Sequence, residues 1–269
     1  MSAAPELHPD ATPPVLRDRP EPGIVRLTLN RPKAYNSLST GLMAALQAEL
    51  DAIHADRSIK AVIIGAAGPG FCAGHDLKEI RANPGRQHYE ALFRQCSLLM
   101  QSIVALPQPV IARVHGVASA AGCQLVASCD LAVAAETARF ATPGVNIGLF
   151  CSTPMVALSR NVSRKHAMEM LLTGELLEAR RAESIGLINR VVPEAALDEA
   201  ALGFARTIAA KSPLTVKTGK EAFYRQLEMP LAQAYDYASR VMTENMLARD
   251  AEEGIDAFIG KREPHWEGR

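Results

Sequence analysis

Apolar runs that suit buried β-strands alternate with helical stripes through the first two thirds of this 269-residue chain. We predict strands at residues 24–29, 61–65, 109–114, 131–135 and 186–192, where apolar side chains alternate or form short continuous runs. Helical spacing fills the gaps, as in the stripe of Leu42, Leu46 and Leu50 that follows the N-cap residue Ser39. Because strands joined by helices pair in parallel through right-handed crossovers, the sequence predicts an α/β fold.

The pattern changes beyond about residue 195. Helical periods follow one another at 197–210, 213–227, 231–248 and 252–259, and no strand is predicted between them. The apolar faces of these helices need a partner. They either fold back on the α/β core or meet another subunit, and composition alone leaves both alternatives open.

Charge and hydropathy exclude two classes of protein. Lys and Arg number 29 and Asp and Glu number 29, so no surplus of positive charge is available to bind nucleic acid. The two longest uncharged stretches, residues 140–159 and 95–112, are interrupted by prolines, whereas a membrane-spanning helix needs about 20 predominantly apolar residues. We therefore expect neither a nucleic-acid partner nor a membrane span.

The cysteines and the N-terminus indicate a compartment. Five cysteines, an odd number, occur without a C-x-x-C pair or a secretion signal, which is typical of a reducing cytoplasm. No cluster of His, Cys, Asp and Glu has the spacing of a metal site, so we expect no metal. The proline-rich stretch up to Gly23 is expected to form a flexible lead-in without a targeting signal.

Two glycine- and alanine-rich segments each follow a predicted strand. Residues 68–73 fit G-x-G-x-x-A, but the dinucleotide-binding motif also needs a long helix, which the Asn-Pro-Gly at 83–85 prevents. The alternative interpretation of residues 68–73 is that their glycines only serve a tight turn. Residues 115–124 open a helix, whose first N–H groups can bind an oxyanion; close packing between helices is the other interpretation.

Taken together, these segments resemble the crotonase family of enoyl-CoA hydratases and isomerases. The resemblance covers residues 15–262 and rests on motifs at 29–32 (Leu-Asn-Arg-Pro), 70–78, 120–130, 140–144 and 148–154. It implies a flexible lead-in at 1–14, a spiral core of ββα turns at 15–195, and a C-terminal helical trimerisation region at 196–269. Homotrimers, often paired into hexamers, are expected.

The same resemblance implies the ligand and the site. The substrate would be an acyl-CoA thioester in fatty-acid metabolism, with coenzyme A entering as part of the substrate and no permanently bound cofactor. The backbone N–H groups of Ala73 and Ala121 would form an oxyanion hole, which stabilises the charge that develops on the thioester oxygen. The other expected substrate contacts are Lys33, Ala34, Gly74, His75, Asp76, Leu77 and Lys261.

The chain departs from the family at its two acid/base positions. Family hydratases use two glutamates there, whereas this sequence has Gln124 and Gly144. Glutamine does not exchange a proton at neutral pH and glycine has no side chain. A positioned acid or base contributes about 10²–10⁴ in rate, so we expect ordinary hydration to be impaired.

Three alternatives for the reaction remain. The first is an isomerisation, the second is a thioester cleavage through Cys151 or His75, and the third is a CoA-thioester-binding protein without catalysis. Cys151 also fits a small buried apolar position, and His75 a structural or CoA-contacting one. Asp76 is expected to cap a short helix that begins at Leu77.

Overall fold

The computed structural model describes residues 12–269, so the first 11 residues of the expected lead-in lie outside the described residues. The prediction of a flexible chain up to Gly23 is wrong from Val15 onward. Strand β1 (Val15–Glu21) pairs antiparallel with β2 (Ile24–Leu29), and the turn between them contains Gly23 at φ +78°. Prolines are tolerated here because β1 is an edge strand.

The main sheet has six strands in the order β1-β2-β3-β4-β6-β9, and all pairs except β1–β2 are parallel. A second, three-stranded sheet has the order β5-β7-β8. The remaining strands are β3 (Ala61–Ala66), β4 (Val110–Val114), β5 (Val117–Ser119), β6 (Leu131–Ala135), β7 (Arg139–Ala141), β8 (Leu177–Glu178) and β9 (Arg190–Val192). Every residue of β3 is buried, as expected for a central parallel strand covered on both faces.

Helices follow most of the strands. Those of the core are α1 (Thr40–Ala55), α2 (Leu77–Ala82), α3 (Arg86–Ala105), α4 (Ala121–Ser128), α5 (Pro154–Asn161), α6 (Arg164–Thr173) and α7 (Ala179–Ser184). The C-terminal region contains α8 (Leu197–Ala209), α9 (Pro213–Gln226), α10 (Leu231–Met246) and α11 (Arg249–Ile259). The predicted cap of α1 is confirmed, since the Ser39 hydroxyl accepts a hydrogen bond from Leu42 N at 3.2 Å.

The first two C-terminal helices fold back on the core. Helix α8 covers Ile24, Ile63 and Ile111 of the main sheet with its alanine face. Helix α9 is tied down by Lys220, whose Nζ donates to Asp130 Oδ2 at 2.7 Å and to two backbone carbonyl groups. These two helices therefore bury their apolar or charged faces within one chain.

The outer helices α10 and α11 leave apolar side chains uncovered. Leu231, Leu247 and Phe258 are 75%, 77% and 85% exposed. Within the described residues, no helix is long and apolar enough to cross a membrane, and no three His, Cys, Asp or Glu side chains are grouped to hold a metal ion. The exposed helical face is the feature that the trimer or hexamer prediction would explain.

Replacing Lys220 should destabilise the protein far more than replacing its neighbour Lys217. The Lys220 side chain is 7% exposed and pairs with Asp130, so Lys220→Met leaves a largely buried carboxylate without its cation. We expect a loss of about 3 kcal/mol in the free energy of unfolding, measured with urea. Lys217→Met, on an exposed position of the same helix, should change it by less than about 0.5 kcal/mol. Equal losses would contradict this role for Lys220.

Candidate active site

Two chain segments cross at the edge of the small sheet. The backbone N–H groups of Phe71 and Cys72 both donate to Val117 O at 3.0 Å, and Ser119 N donates to Cys72 O at 2.9 Å. These bonds attach residues 71–72 to β5 as a short extra strand. As a result, the residues that follow Cys72 lie beside the beginning of α4.

Two glycines allow this close approach. A Cβ atom at Gly122 would lie 2.1 Å from Cys72 O, which is an impossible contact. Gly74 has φ +93°, and its Cβ would lie 2.9 Å from Ala120 Cβ and 3.4 Å from Ala121 N. Because only glycine fits at both positions, the two segments reach backbone contact.

Gly122→Ala should separate the segments. The added methyl group collides with a backbone oxygen that the pairing with β5 holds in place, so we expect the free energy of unfolding to fall by about 3 kcal/mol. The matched control is Gly219→Ala in α9, where an added Cβ meets nothing within 4 Å. That change should raise stability by up to about 1 kcal/mol. Thermal or urea unfolding of both variants measures the difference, and similar values would contradict the packing argument.

The structure contradicts the prediction that Ala73 supplies an oxyanion-hole donor. The Ala73 N–H group donates to Tyr35 O at 3.0 Å and is therefore already used. Tyr35 presents this carbonyl from a left-handed conformation, φ +48°, at the end of the 3₁₀ turn Pro32–Ala34. The acceptor of the Ala73 N–H group lies 38 residues earlier in the chain, so the motif around Ala73 does not by itself show where this N–H group points.

The His75 amide is the free donor in this segment. Leu38 N donates to Gly74 O at 2.7 Å and Asp76 N donates to Leu38 O at 3.3 Å, which is the pattern of a parallel bridge opposite His75. In such a bridge the intervening N–H group points to the other side. His75 N finds no acceptor in the described part of the chain, and neither does Ala121 N. These two adjacent amides are the candidate oxyanion hole.

Ala120 sets the start of α4 at the cost of backbone strain. It has φ +48° and ψ −116°, a conformation that residues with a Cβ rarely adopt, and its N–H group donates to Ala141 O at 2.9 Å. Such strain costs about 1–3 kcal/mol and is typical of functional sites. It places Ala121 N in the first turn, where the helix dipole adds partial positive charge.

The His75 imidazole lies next to its own amide. The ring is mostly buried and meets Phe93 of α3 edge-on, with 5.5 Å between the ring centroids. Burial lowers the pKa of His75 and Glu79 opposes this only in part, so the imidazole is neutral at pH 7. Its Nε2 atom is buried and has no hydrogen-bond partner among the described residues.

Asp76 serves as a helix cap, as predicted. Its Oδ1 atom accepts from Lys78 N at 3.1 Å and from Glu79 N at 3.3 Å, while Oδ2 pairs with Arg31 at 3.0 Å. Burial disfavours the carboxylate, yet these donors outweigh burial and lower the pKa of Asp76. The carboxylate is thus ionised and committed to the fold.

Asn36, which is not among the residues expected from the sequence, holds the loop that leads to the site. The side chain is fully buried; its Nδ2 atom donates to Ala67 O at 2.8 Å and Gly70 O at 2.9 Å, and its Oδ1 atom accepts from Arg31 N at 2.8 Å. Like Tyr35, Asn36 has a left-handed backbone conformation, with φ +51°. An asparagine after a proline-initiated turn was the available signal, since asparagine tolerates this conformation.

The two acid/base positions are buried and closely packed. Gln124, three residues after Ala121 on α4, is 5% exposed, and its Oε1 atom lies 4.0 Å from Cys96 Sγ. At Gly144 an added Cβ would lie 2.9 Å from Leu149 O and 3.0 Å from Cys151 Sγ. The space that a side chain at position 144 would need is therefore occupied.

Cys151 has the properties of a buried apolar residue. Its Sγ atom accepts a hydrogen bond from Gly144 N at 3.3 Å. Burial raises the pKa of the Cys151 thiol, and the hydrogen bond offsets only part of that rise. A thiol that stays protonated at neutral pH is a weak nucleophile.

The remaining expected substrate contacts lie at the surface. Lys33 is exposed and Ala34 is half-buried in the turn before Tyr35, and Leu77 is 50% exposed at the first position of α2. Lys261 is exposed and lies after the end of α11.

Comparison with known proteins gives the family. The family model described as enoyl-CoA hydratase/isomerase matches residues 19–269. The chain belongs to this family. A solved structure of an enoyl-CoA hydratase from Mycobacterium smegmatis shares 54% identity and a TM-score of 0.93, covering 95% of this chain and 99% of that one. The crotonase resemblance and the α/β fold with C-terminal helices are thereby confirmed.

A curated relative carries more detail in its name. Human enoyl-CoA hydratase domain-containing protein 3 is 49% identical over 244 residues, which cover 91% of this chain and 80% of the human protein. A solved structure of that human protein has a TM-score of 0.91, with 94% of this chain and 100% of that chain covered at 48% identity.

The predicted cytoplasmic location is wrong by the same comparison. Five vertebrate relatives of this kind, 45% to 49% identical, are named as mitochondrial. The prediction rested on unpaired cysteines, and the structure does contain five free, buried cysteines. Free thiols indicate where disulfides do not form, which does not single out one compartment.

Proposed function

We propose that this protein binds an acyl-CoA thioester, in fatty-acid metabolism, and polarises its carbonyl group with the N–H groups of His75 and Ala121. The observation that carries the proposal is a pair of adjacent amides that have no acceptor among residues 12–269, beside a Gly74 whose added Cβ would lie 3.4 Å from Ala121 N. Each preorganised donor of this kind contributes about 3 kcal/mol as charge develops on the oxygen.

The reaction that we propose is enolate-type chemistry of the isomerase kind, without the addition of water. Gln124 can orient a ligand but does not transfer a proton, and position 144 has no room for a side chain. Cleavage by Cys151 is not favoured, because burial raises the pKa of its thiol. The second candidate function is binding of a CoA thioester without turnover, which rests on the same loss of both glutamates.

Binding should weaken the carbonyl bond of the ligand. We expect butyryl-CoA labelled with ¹³C at the carbonyl to show a lower carbonyl stretching frequency when bound, because two N–H donors draw charge onto the oxygen. Infrared difference spectroscopy measures the shift, and calorimetry confirms binding. In the same preparation, crotonyl-CoA hydration should be at least about 100-fold slower than with an enoyl-CoA hydratase that has both glutamates.

The infrared measurement and the hydration assay can each contradict a different part of the proposal. Bound butyryl-CoA with an unshifted carbonyl frequency would contradict the oxyanion hole. Rapid hydration of crotonyl-CoA would show that Gln124 and position 144 do not limit the reaction. A shifted carbonyl with no turnover of any unsaturated thioester would favour the binding protein over the isomerase.

We further propose that the chain forms a homotrimer, or a hexamer of two trimers, through its outer helices. The supporting observation is the set of exposed apolar side chains on and beside α10 and α11: Phe258 of α11 and Leu247, which directly follows α10, are more than three quarters exposed. Helices of this kind are stable in water when a partner covers them.

A single charge on this face should dissociate the oligomer. Phe258→Asp places a carboxylate in an interface that we expect to be apolar. The molar mass measured by light scattering should therefore fall below that of the trimer or hexamer of 28.9 kDa chains that we expect for the parent protein. Leu98→Asp on α3, where the side chain is 52% exposed, is the matched control and should leave the assembly unchanged. A monomeric parent protein would refute the proposal.

A further inference from the structure

We infer that the His75 side chain is the base that removes and returns a proton at the carbon next to the thioester carbonyl. The inference rests on the proposed function, since the oxygen of that thioester must be held by the His75 and Ala121 amides. It assigns a proton-transfer group to a site whose two acid/base positions carry Gln124 and Gly144.

The His75 ring contacts α3, the helix that also contacts Gln124. It packs on Phe93, and one helical turn later on α3 Cys96 reaches the side-chain oxygen of Gln124. Thus the His75 ring and Gln124 contact the same stretch of α3. A carbonyl oxygen bound to the His75 amide brings the adjacent carbon close to the ring of the same residue.

His75 and His115 use the Nε2 atom of the ring differently. His115 uses its Nε2 to contact Gly68 O at 2.8 Å, so that ring has a role within the fold. Nε2 of His75 is buried and has no partner within the described residues, as is also true of Nε2 of His88 and Nδ1 of His115, but only His75 also has a backbone N–H group at the proposed oxyanion hole. A buried polar atom without a partner costs about 1–3 kcal/mol, which favours a role in contacting a ligand. Because burial keeps the ring neutral, a nitrogen lone pair is available.

The carboxylates near the ring are committed elsewhere. Glu79 accepts hydrogen bonds from the Thr40 amide, at 3.0 Å, and from the Thr40 hydroxyl. Asp76 pairs with Arg31 and caps α2. His75 is therefore the best placed of these groups to move a proton.

The proposed step is balanced without a further reactant. The C–H bond next to the carbonyl breaks, its proton bonds to Nε2, and its electron pair forms the carbon–carbon double bond of an enolate. The thioester oxygen becomes an oxyanion on the two amides. Return of a proton to the same carbon exchanges hydrogen with solvent, and return two carbons further along an unsaturated chain moves the double bond.

Deuterium exchange tests this step directly. Butyryl-CoA incubated with the protein in D₂O should gain deuterium next to the carbonyl, measured by mass spectrometry. His75→Gln keeps the backbone amide but removes the base, so exchange should fall at least about 100-fold while calorimetric binding changes less than about 3-fold. His54→Gln, an exposed histidine on α1, is the matched control and should exchange like the parent.

Chemical rescue distinguishes loss of the base from a structural effect of the substitution. In His75→Ala, added imidazole can enter the space beside Phe93 and should restore at least a tenth of the parent exchange. Parent-level exchange in His75→Gln would overturn the inference and leave the proposed function standing. Binding of butyryl-CoA without exchange in the parent would overturn the inference and the enolate chemistry, and would leave the second candidate function, binding of a CoA thioester without turnover. Failure of the parent to bind butyryl-CoA would overturn the proposed function and the inference with it.

Discussion

The short pairing between residues 71–72 and β5 is the interaction on which the site depends. Three backbone hydrogen bonds, two to Val117 O and one to Cys72 O, fix the position of two segments that are more than 40 residues apart in sequence. Close contact follows because Gly122 has no side chain to hold Cys72 O away. The chemistry is thus built from main-chain atoms, whose positions depend on packing more than on side-chain identity.

Periodicity predicted the large elements because each buries a continuous face. Strands β2, β3, β4 and β6 and the C-terminal helices were found in this way, to within a few residues. The small sheet was missed, since β5, β7 and β8 contain only two or three residues and show no period. Strand β1 was missed because its exposed, proline-containing sequence resembles a linker; only Val15 is fully buried.

The site was predicted less well than the fold, for a physical reason. Whether an amide is free depends on acceptors elsewhere: Tyr35 O takes the N–H group of Ala73, and the bridge to Leu38 turns that of His75 away. No pattern within residues 70–78 contains this information. The prediction for Ala121 rests on a reason that is local to the helix, because the first N–H groups of a helix have no acceptor within it.

The two altered acid/base positions change different parts of the site. At position 124 a glutamine keeps the size of a glutamate and loses only the exchangeable proton, and its side chain is buried, at 5% exposure. At position 144 the absence of a side chain is matched by Cys151 Sγ and Leu149 O, which fill the space around the glycine. A glutamate at position 124 therefore only adds a charge, whereas a glutamate at position 144 also requires the buried thiol of Cys151 to move. In the proposed site, the oxyanion hole belongs to the backbone and the proton-transfer groups belong to replaceable side chains, so changes at positions 124 and 144 would alter the reaction and leave binding intact.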